Sequence, residues 1–214
     1  NVDYATFIEL PGSASSLSPG VSAKEIFDDG EQLLDACEEL GLSIGAVMAV
    51  REARLTGEAH AVAAMRRVLD VMCEETTAPI ANPQRSLGGL IGGEAKLVEA
   101  TGRNDLSASL MGPVQTEAVA RAMAVLERSA TMGVIVAAPT AGSAGVVPGC
   151  VLALADHLQL DDEQVMDALY CAAAIGLNLT TSACVAGAEG GCQAEVGSAA
   201  AMAAAALVQM LGGT

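Results

Sequence analysis

The feature that most restricts the fold is a shortage of bulk. Hydrophobic residues make up 52% of the 214-residue chain, yet it holds two Phe, two Tyr and no Trp. The core therefore has to be built from Ala, Val, Leu, Met and Gly. Alanine leads the helix scale, and small side chains let helix backbones approach closely. The composition predicts close-packed helices rather than a β sandwich. The expected fold is an all-α, compact helical domain of roughly eight helices with Gly-rich loops at its active site.

The periodicity places those helices. Ser22 to Glu25 matches a capping box, and Ile26, Phe27, Leu33, Leu34, Cys37 and Leu40 follow in helical rhythm up to Gly41. Ser43 stands where a second helix would be capped, running to about Arg54, and a third spans about Glu58 to Glu75. Thr76 to Gly93 reads as a long irregular connection, a kind of segment that often carries function. A short helix is expected from Glu94 to Ala100, and Pro113 opens another that ends near Ala130. A brief extended piece is expected near Val134 to Val136. Pro148 opens the next helix, to about Leu158, and Asp161 or Asp162 caps one to about Gly176. A loop from Thr180 to Gly191 leads to an Ala-rich last helix, about Cys192 to Leu211. Residues 11–20, "PGSASSLSPG", read as a linker. Residues 1–21 are thus assigned to a linker or N-terminal extension, and 22–214 to the domain.

Charge narrows the function. A net charge of −16 argues against nucleic acid, which needs clustered Lys and Arg, and against anionic membrane surfaces. Two uncharged runs, Ser129 to Ala155 and Ala168 to Ala188, are long enough to cross a bilayer. The first is interrupted by Pro139, Pro148 and glycines, and neither has aromatic or basic flanks. Buried helices and loops account for both better. The six cysteines, Cys37, Cys73, Cys150, Cys171, Cys184 and Cys192, form no CxxC and mostly sit in apolar helical contexts. They are read as reduced thiols of a cytoplasmic protein.

Three glycine-rich stretches could carry chemistry. In "APTAGSAGVVPG", Ala138 to Gly149, Gly142 and Gly145 would let the backbone approach a ligand, and Thr140 and Ser143 add hydroxyls. The helix that follows offers free amides to an anion such as a carboxylate. On pattern alone, a tight turn where two helices cross, with the glycines there for packing, is the preferred reading. In "GAEGGCQAEVGSAAAM", Gly187 to Met202, Gly190 and Gly191 leave the Cys192 thiol open at a helix start, where a thiolate is favoured; Gln193 and Glu195 share that turn. A buried structural cysteine beside a packing glycine pair reads as well. "SLGGLIGGEAKL", Ser86 to Leu97, leans to a strained connection. His60 and His157 read as solvated or capping residues, so the chain offers no evident general base.

Taken together, "APTAGSAGVVPG" and "AGAEGGCQAEVGSAAAMAAAAL" resemble the α chain, or α domain, of iron–sulfur-dependent L-serine dehydratases, with "GGEAKL" fitting more loosely. The resemblance covers about Lys24 to Thr214. It implies a lyase that deaminates L-serine, or a similar small amino acid, to pyruvate and ammonia. It implies a [4Fe–4S] cluster held by three cysteines, with Cys192 as one ligand, and substrate contacts at Thr140, Ala141, Gly142, Ser143, Gly190 and Gly191. A smaller α/β domain or β chain supplies a histidine to the chemistry, so the general base is expected there. A homodimer is compatible with the family. The family's other two cluster cysteines lie in a segment beyond the position of Thr214. The expectation is therefore an incomplete catalytic portion, cluster-free as it stands. The family's "NASISGA" reads "SACVAGA" here, Ser182 to Ala188. That difference keeps two alternatives open: a lyase for another hydroxy- or thio-amino acid, such as a cysteine desulfidase, or a non-catalytic partner subunit.

Overall fold

The computed structural model describes residues 7–9, 26–104 and 111–213. It is 75% helical. Among the described residues the helices are α1 (Gly30–Leu40), α2 (Ile44–Thr56), α3 (Glu58–Ala81), α4 (Glu94–Asn104), α5 (Pro113–Ala130), α6 (Val146–Leu158), α7 (Asp162–Ser182), the single turn α8 (Gly187–Gly190) and α9 (Cys192–Met210). Two short strands, β1 (Phe7–Glu9) and β2 (Ile135–Ala137), pair in parallel with Ile8 opposite Val136. The extended piece expected near Val134 to Val136 is thus a strand whose partner comes from the N-terminal extension. The linker at 11–20 and the box at Ser22 to Glu25 lie outside the described residues.

Local chemistry explains most boundaries. Asp29 caps α1 by accepting from the Gln32 N–H at 2.9 Å, so the helix begins three residues after Phe27. Phe27 is a core residue all the same, 2% exposed, with the Arg51 guanidinium 5.4 Å from its ring centroid. Gly41, at φ +63°, ends α1, and Ser43 caps α2 as the sequence suggests. The third helix does not stop at Glu75. The hydroxyls of Thr76 and Thr77 turn back onto Met72 O and Cys73 O, and Pro79 falls in the last turn, where it forfeits a single ladder bond. The irregular connection therefore shrinks to residues 82–93. Pro148 sits in the first turn of α6 rather than opening it, because amides there have no helical partner to lose. α7 continues past Gly176 to Ser182.

α7 runs through the middle of the bundle, packing on α2, α3, α6 and α9. Val47, Met48, Met65, Met72, Leu169 and Met202 are fully buried around it. Methionine fills the irregular gaps that absent aromatic rings would otherwise take. Where helices cross, glycine sets the distance. A Cβ on Gly176 would lie 2.9 Å from the Met202 Cε of α9. One on Gly145 would lie 2.5 Å from Ala122 O, and one on Gly149 2.7 Å from Ala118 O, both carbonyls on α5. Gly145 and Gly149 are four apart and so share a face, and α6 rests that face directly on the α5 backbone. Arg121 of α5 reinforces the crossing by pairing with Asp156 of α6.

Ala141–Leu158 is apolar and long enough to be read as a membrane span. The helix within it, α6, has 13 residues and is largely buried among its neighbours. At 1.5 Å per residue it reaches about 20 Å, well short of a hydrocarbon core of about 30 Å.

The α5–α6 contact gives a prediction with a decisive sign. Helix propensity alone would make Gly149→Ala stabilising by about 1 kcal/mol. The added methyl would instead press on a backbone carbonyl that cannot swing aside, and overpacking costs about 1–3 kcal/mol. Urea unfolding should show a net loss of stability; a gain would mean that α6 is not seated on α5 in this way.

Candidate active site

The strand β2 leads through Ala138 and the cis Ala138–Pro139 bond to Thr140, which precedes one 3-10 turn, Ala141–Ser143, and then α6. The second glycine-rich stretch arrives from the other side as α8, Gly191 and the start of α9. The two meet at Glu195, one turn into α9. Thr140 Oγ1 donates to Glu195 Oε1 at 3.0 Å. The carboxylate lies in a slot between two glycines. A Cβ on Gly142 would come 2.6 Å from Glu195 Oε2, and one on Gly187 would come 2.7 Å from its Cδ. The structure thereby divides the glycines of "APTAGSAGVVPG". Gly142 belongs to the site, while Gly145, which the sequence offered as a ligand contact, belongs to the helix crossing.

The predicted substrate residues occupy distinct situations. Thr140 and Ala141 are half-buried and Gly142 is exposed. Ser143 is 2% exposed, and its hydroxyl lies 3.2 Å from Ala138 O and 3.2 Å from Thr140 Oγ1, so it fastens the loop to itself. Gly190 is exposed at the end of α8. Gly191 adopts φ +77°, a conformation that favours glycine, and starts α9 without a side-chain cap. Cys192 is the first residue of α9 and is an exposed free thiol. Cys184 is also exposed, with Sγ 3.1 Å from Glu189 Oε2. All six cysteines are free.

A three-cysteine cluster does not fit this chain alone. Among the described residues no group of three or more His, Cys, Asp or Glu side chains is arranged to hold a metal ion. A [4Fe–4S] centre needs several thiolates converging on it, and the site presents Cys192.

Two of the buried acids, neither within the glycine-rich motifs, shape the surroundings of the site. Glu75 of α3 is fully buried, and its Oε2 accepts the Val136 N–H of β2 at 2.8 Å while Oε1 has no partner. It pins the strand that leads into the site. Glu127 of α5 accepts the Gly93 and Ala95 amides at 2.9 and 2.8 Å, capping α4 from a neighbouring helix. That places "SLGGLIGGEAKL" in a structural role: Gly92 packs where a Cβ would meet Gln84 O at 2.2 Å. The Gly92 N–H, bonded to Glu94, holds the Glu94 carboxyl below the usual carboxylate range. His60 and His157 are exposed. A concavity of about 790 Å³ is lined by Leu34, Cys37, Ile44, Ala204 and Val208 among others. It begins twelve residues beyond Cys192, about 18 Å along α9.

Comparison with known proteins gives this geometry its context. Residues 39–214 match the family model described as serine dehydratase alpha chain. The chain belongs to the serine dehydratase α-chain family. It is 38% identical to the probable L-serine dehydratase, alpha chain, of Bacillus subtilis (strain 168), over 88% of this chain and 63% of that one. It is 36% identical to the L-serine dehydratase, alpha chain, of Peptoniphilus asaccharolyticus, over 88% and 65%. Against the L-serine dehydratase of Mycobacterium bovis (strain ATCC BAA-935 / AF2122/97) the identity is 37%, over 92% of this chain and 42% of that protein. The chain thus spans less than two thirds of the length of the α chains it matches, and both glycine-rich segments fall within the family match.

Glu75 makes the strand's anchorage sensitive to pH. Burial pushes its carboxyl up to about 8, against the pull of the Val136 N–H and Arg128. The folded chain therefore keeps a proton that the unfolded chain releases above its ordinary value of about 4.3. The stability tied to that proton is intact below the unfolded value and is lost as pH rises toward about 8, by at most about 1.4 kcal/mol per pH unit. Glu75→Gln keeps an acceptor for Val136 and removes the titration. Unfolding measured at several pH values from roughly 5 to 8 should show a flatter decline for the variant than for the parent. Parallel declines would contradict the assignment.

Proposed function

We propose that this chain is the catalytic α portion of an L-serine dehydratase. The reaction is an α,β-elimination. A base takes the α-proton, the β-hydroxyl leaves as water, and the resulting aminoacrylate becomes an imine that hydrolyses to pyruvate and ammonia. The observation that carries this reading is the convergence of Thr140–Ser143 with the Gly187–Cys192 segment on one carboxylate, in a family whose relatives bear that enzyme name.

In this reading the Thr140 to Ser143 turn, with Gly190 and Gly191, forms the wall against which a small amino acid lies. Small residues suit the task, because backbone can reach a ligand of few atoms. Cys192 contributes one thiolate to a [4Fe–4S] cluster, whose chemistry when bound is that of a Lewis acid toward the substrate hydroxyl. The remaining thiolates and the general base come from outside the residues described here, the base from a β domain or β chain. A cytoplasmic setting suits free thiols and an oxidation-sensitive centre.

A second reading, a lyase for a thio-amino acid, is favoured by Cys184 and Ala186, which stand where the resembled motif carries serine. Both readings meet one assay. The full-length protein, reconstituted anaerobically with iron and sulfide, should form pyruvate from L-serine, and Cys192→Ala should reduce this to background. Pyruvate from L-cysteine with none from L-serine would favour the second reading. Activity surviving Cys192→Ala would remove the thiol from the site.

A further inference from the structure

Glu195 stands three residues after Cys192, one turn along the same helix face. It is half-buried, and after Asp167 the chain carries charge only at Glu189 and Glu195. Its place in the first turn of α9 suits the helix dipole, but that alone selects no partner for it. The contacts do. One oxygen takes the Thr140 proton, and the carboxylate fills the slot that Gly142 and Gly187 leave open. Neither glycine has a positive φ, so backbone conformation does not demand glycine at either place. With Glu195 in place, a Cβ at either position would crowd its carboxylate and force that side chain to shift, so the three residues form one fitted contact between two segments remote in sequence.

The direction of the hydrogen bond has a chemical consequence. A threonine hydroxyl has one proton. With that proton given to Glu195, Thr140 meets any third group through its lone pairs. The pair Glu195–Thr140 is then acceptor-only and negatively charged, a polarity that suits an ammonium group and repels a carboxylate. We infer that Glu195 is a positioning residue. It fastens the Ala138–Ser143 loop to the first turn of α9, and it holds Thr140 as an acceptor for the α-ammonium of an amino-acid substrate. This rests on the dehydratase reading for the identity of the substrate; the fastening itself does not.

Two experiments separate the parts. The first needs no activity: a double-mutant cycle on thermal unfolding of this chain. Gly142→Ala should lower the midpoint by about 4 °C in the parent, where the methyl meets the carboxylate. It should cost little in a Glu195→Ala background, where the slot is empty. An equal cost in both backgrounds would overturn the fitted contact. The second uses the full-length, reconstituted enzyme. Glu195→Ala should raise KM for L-serine at least tenfold with a smaller change in kcat, the pattern of lost ground-state binding. Glu195→Gln, which retains an acceptor for Thr140, should recover part of the loss. The parent should also prefer L-serine over its deamino analogue 3-hydroxypropionate as a bound ligand, and Glu195→Ala should lose that preference. Unchanged KM and preference in Glu195→Ala would overturn the positioning role. A parent that makes no pyruvate would instead defeat the dehydratase reading, leaving the unfolding cycle to decide the contact.

Discussion

The close approach of α6 to α5 is the contact on which the rest of the structure depends. Gly145 and Gly149 let the start of α6 lie on the carbonyls of Ala122 and Ala118, and Ser143 and Thr140 come just before that start. Once α6 is seated, the turn between β2 and α6 has little freedom. Its far end is held by Glu75, reaching from α3 to the Val136 amide. α9 closes the site from the third side and is itself placed by small-residue contacts: Gly176 of α7 receives Met202, and Gln209 bridges the Gly45 amide of α2 and the Asp167 carboxylate of α7. A chain with almost no aromatic residues gains its packing from many short backbone approaches rather than a few large side chains.

That arrangement explains what could be read in advance and what could not. The helices were legible, because alanine, leucine and methionine recur with helical period and Ser43 and Asp161 offer caps at two starts, whereas the Asp29 cap of α1 was not read in advance. Three ends were misplaced, those of α3, of α4, which runs on past Ala100 to Asn104, and of α7, the first and last for definite reasons. Thr76 and Thr77 look like helix breakers until their hydroxyls find Met72 and Cys73. Gly176 looks like a terminator until Met202 is seen beside it. Glycine is the recurrent ambiguity. Gly191 is needed for a positive φ, Gly145 and Gly149 for a helix crossing, Gly142 and Gly187 for a carboxylate. The difference lies in what stands opposite, and spacing along one chain does not contain it.

The acids were partly legible. Glu75 continues the buried stripe of Met65, Val68 and Met72 at the spacing of three or four, so an acid in register with core positions was visible. Glu195 was visible as a lone charge in an alanine helix. Glu127 left no such mark, because its partners, the amides of Gly93 and Ala95, are brought to it by a turn remote in sequence. Cys192 differs from all three. Its geometry shows an exposed thiol at an uncapped helix start, and its proposed role as a ligand comes from family resemblance.

The Thr140–Ser143 turn and the start of α9 are well fixed by their own packing, and in the proposed reading they form one wall of a catalytic site that takes further thiolates from elsewhere to hold a cluster. The most direct test is the iron and acid-labile sulfide content of this 214-residue chain after anaerobic reconstitution, set beside a longer chain that carries the downstream cysteine pair of the resembled family. The predicted result is about four irons per copy of the longer chain and far less than one cluster per copy of this one. Four irons bound tightly by the 214-residue chain would contradict it.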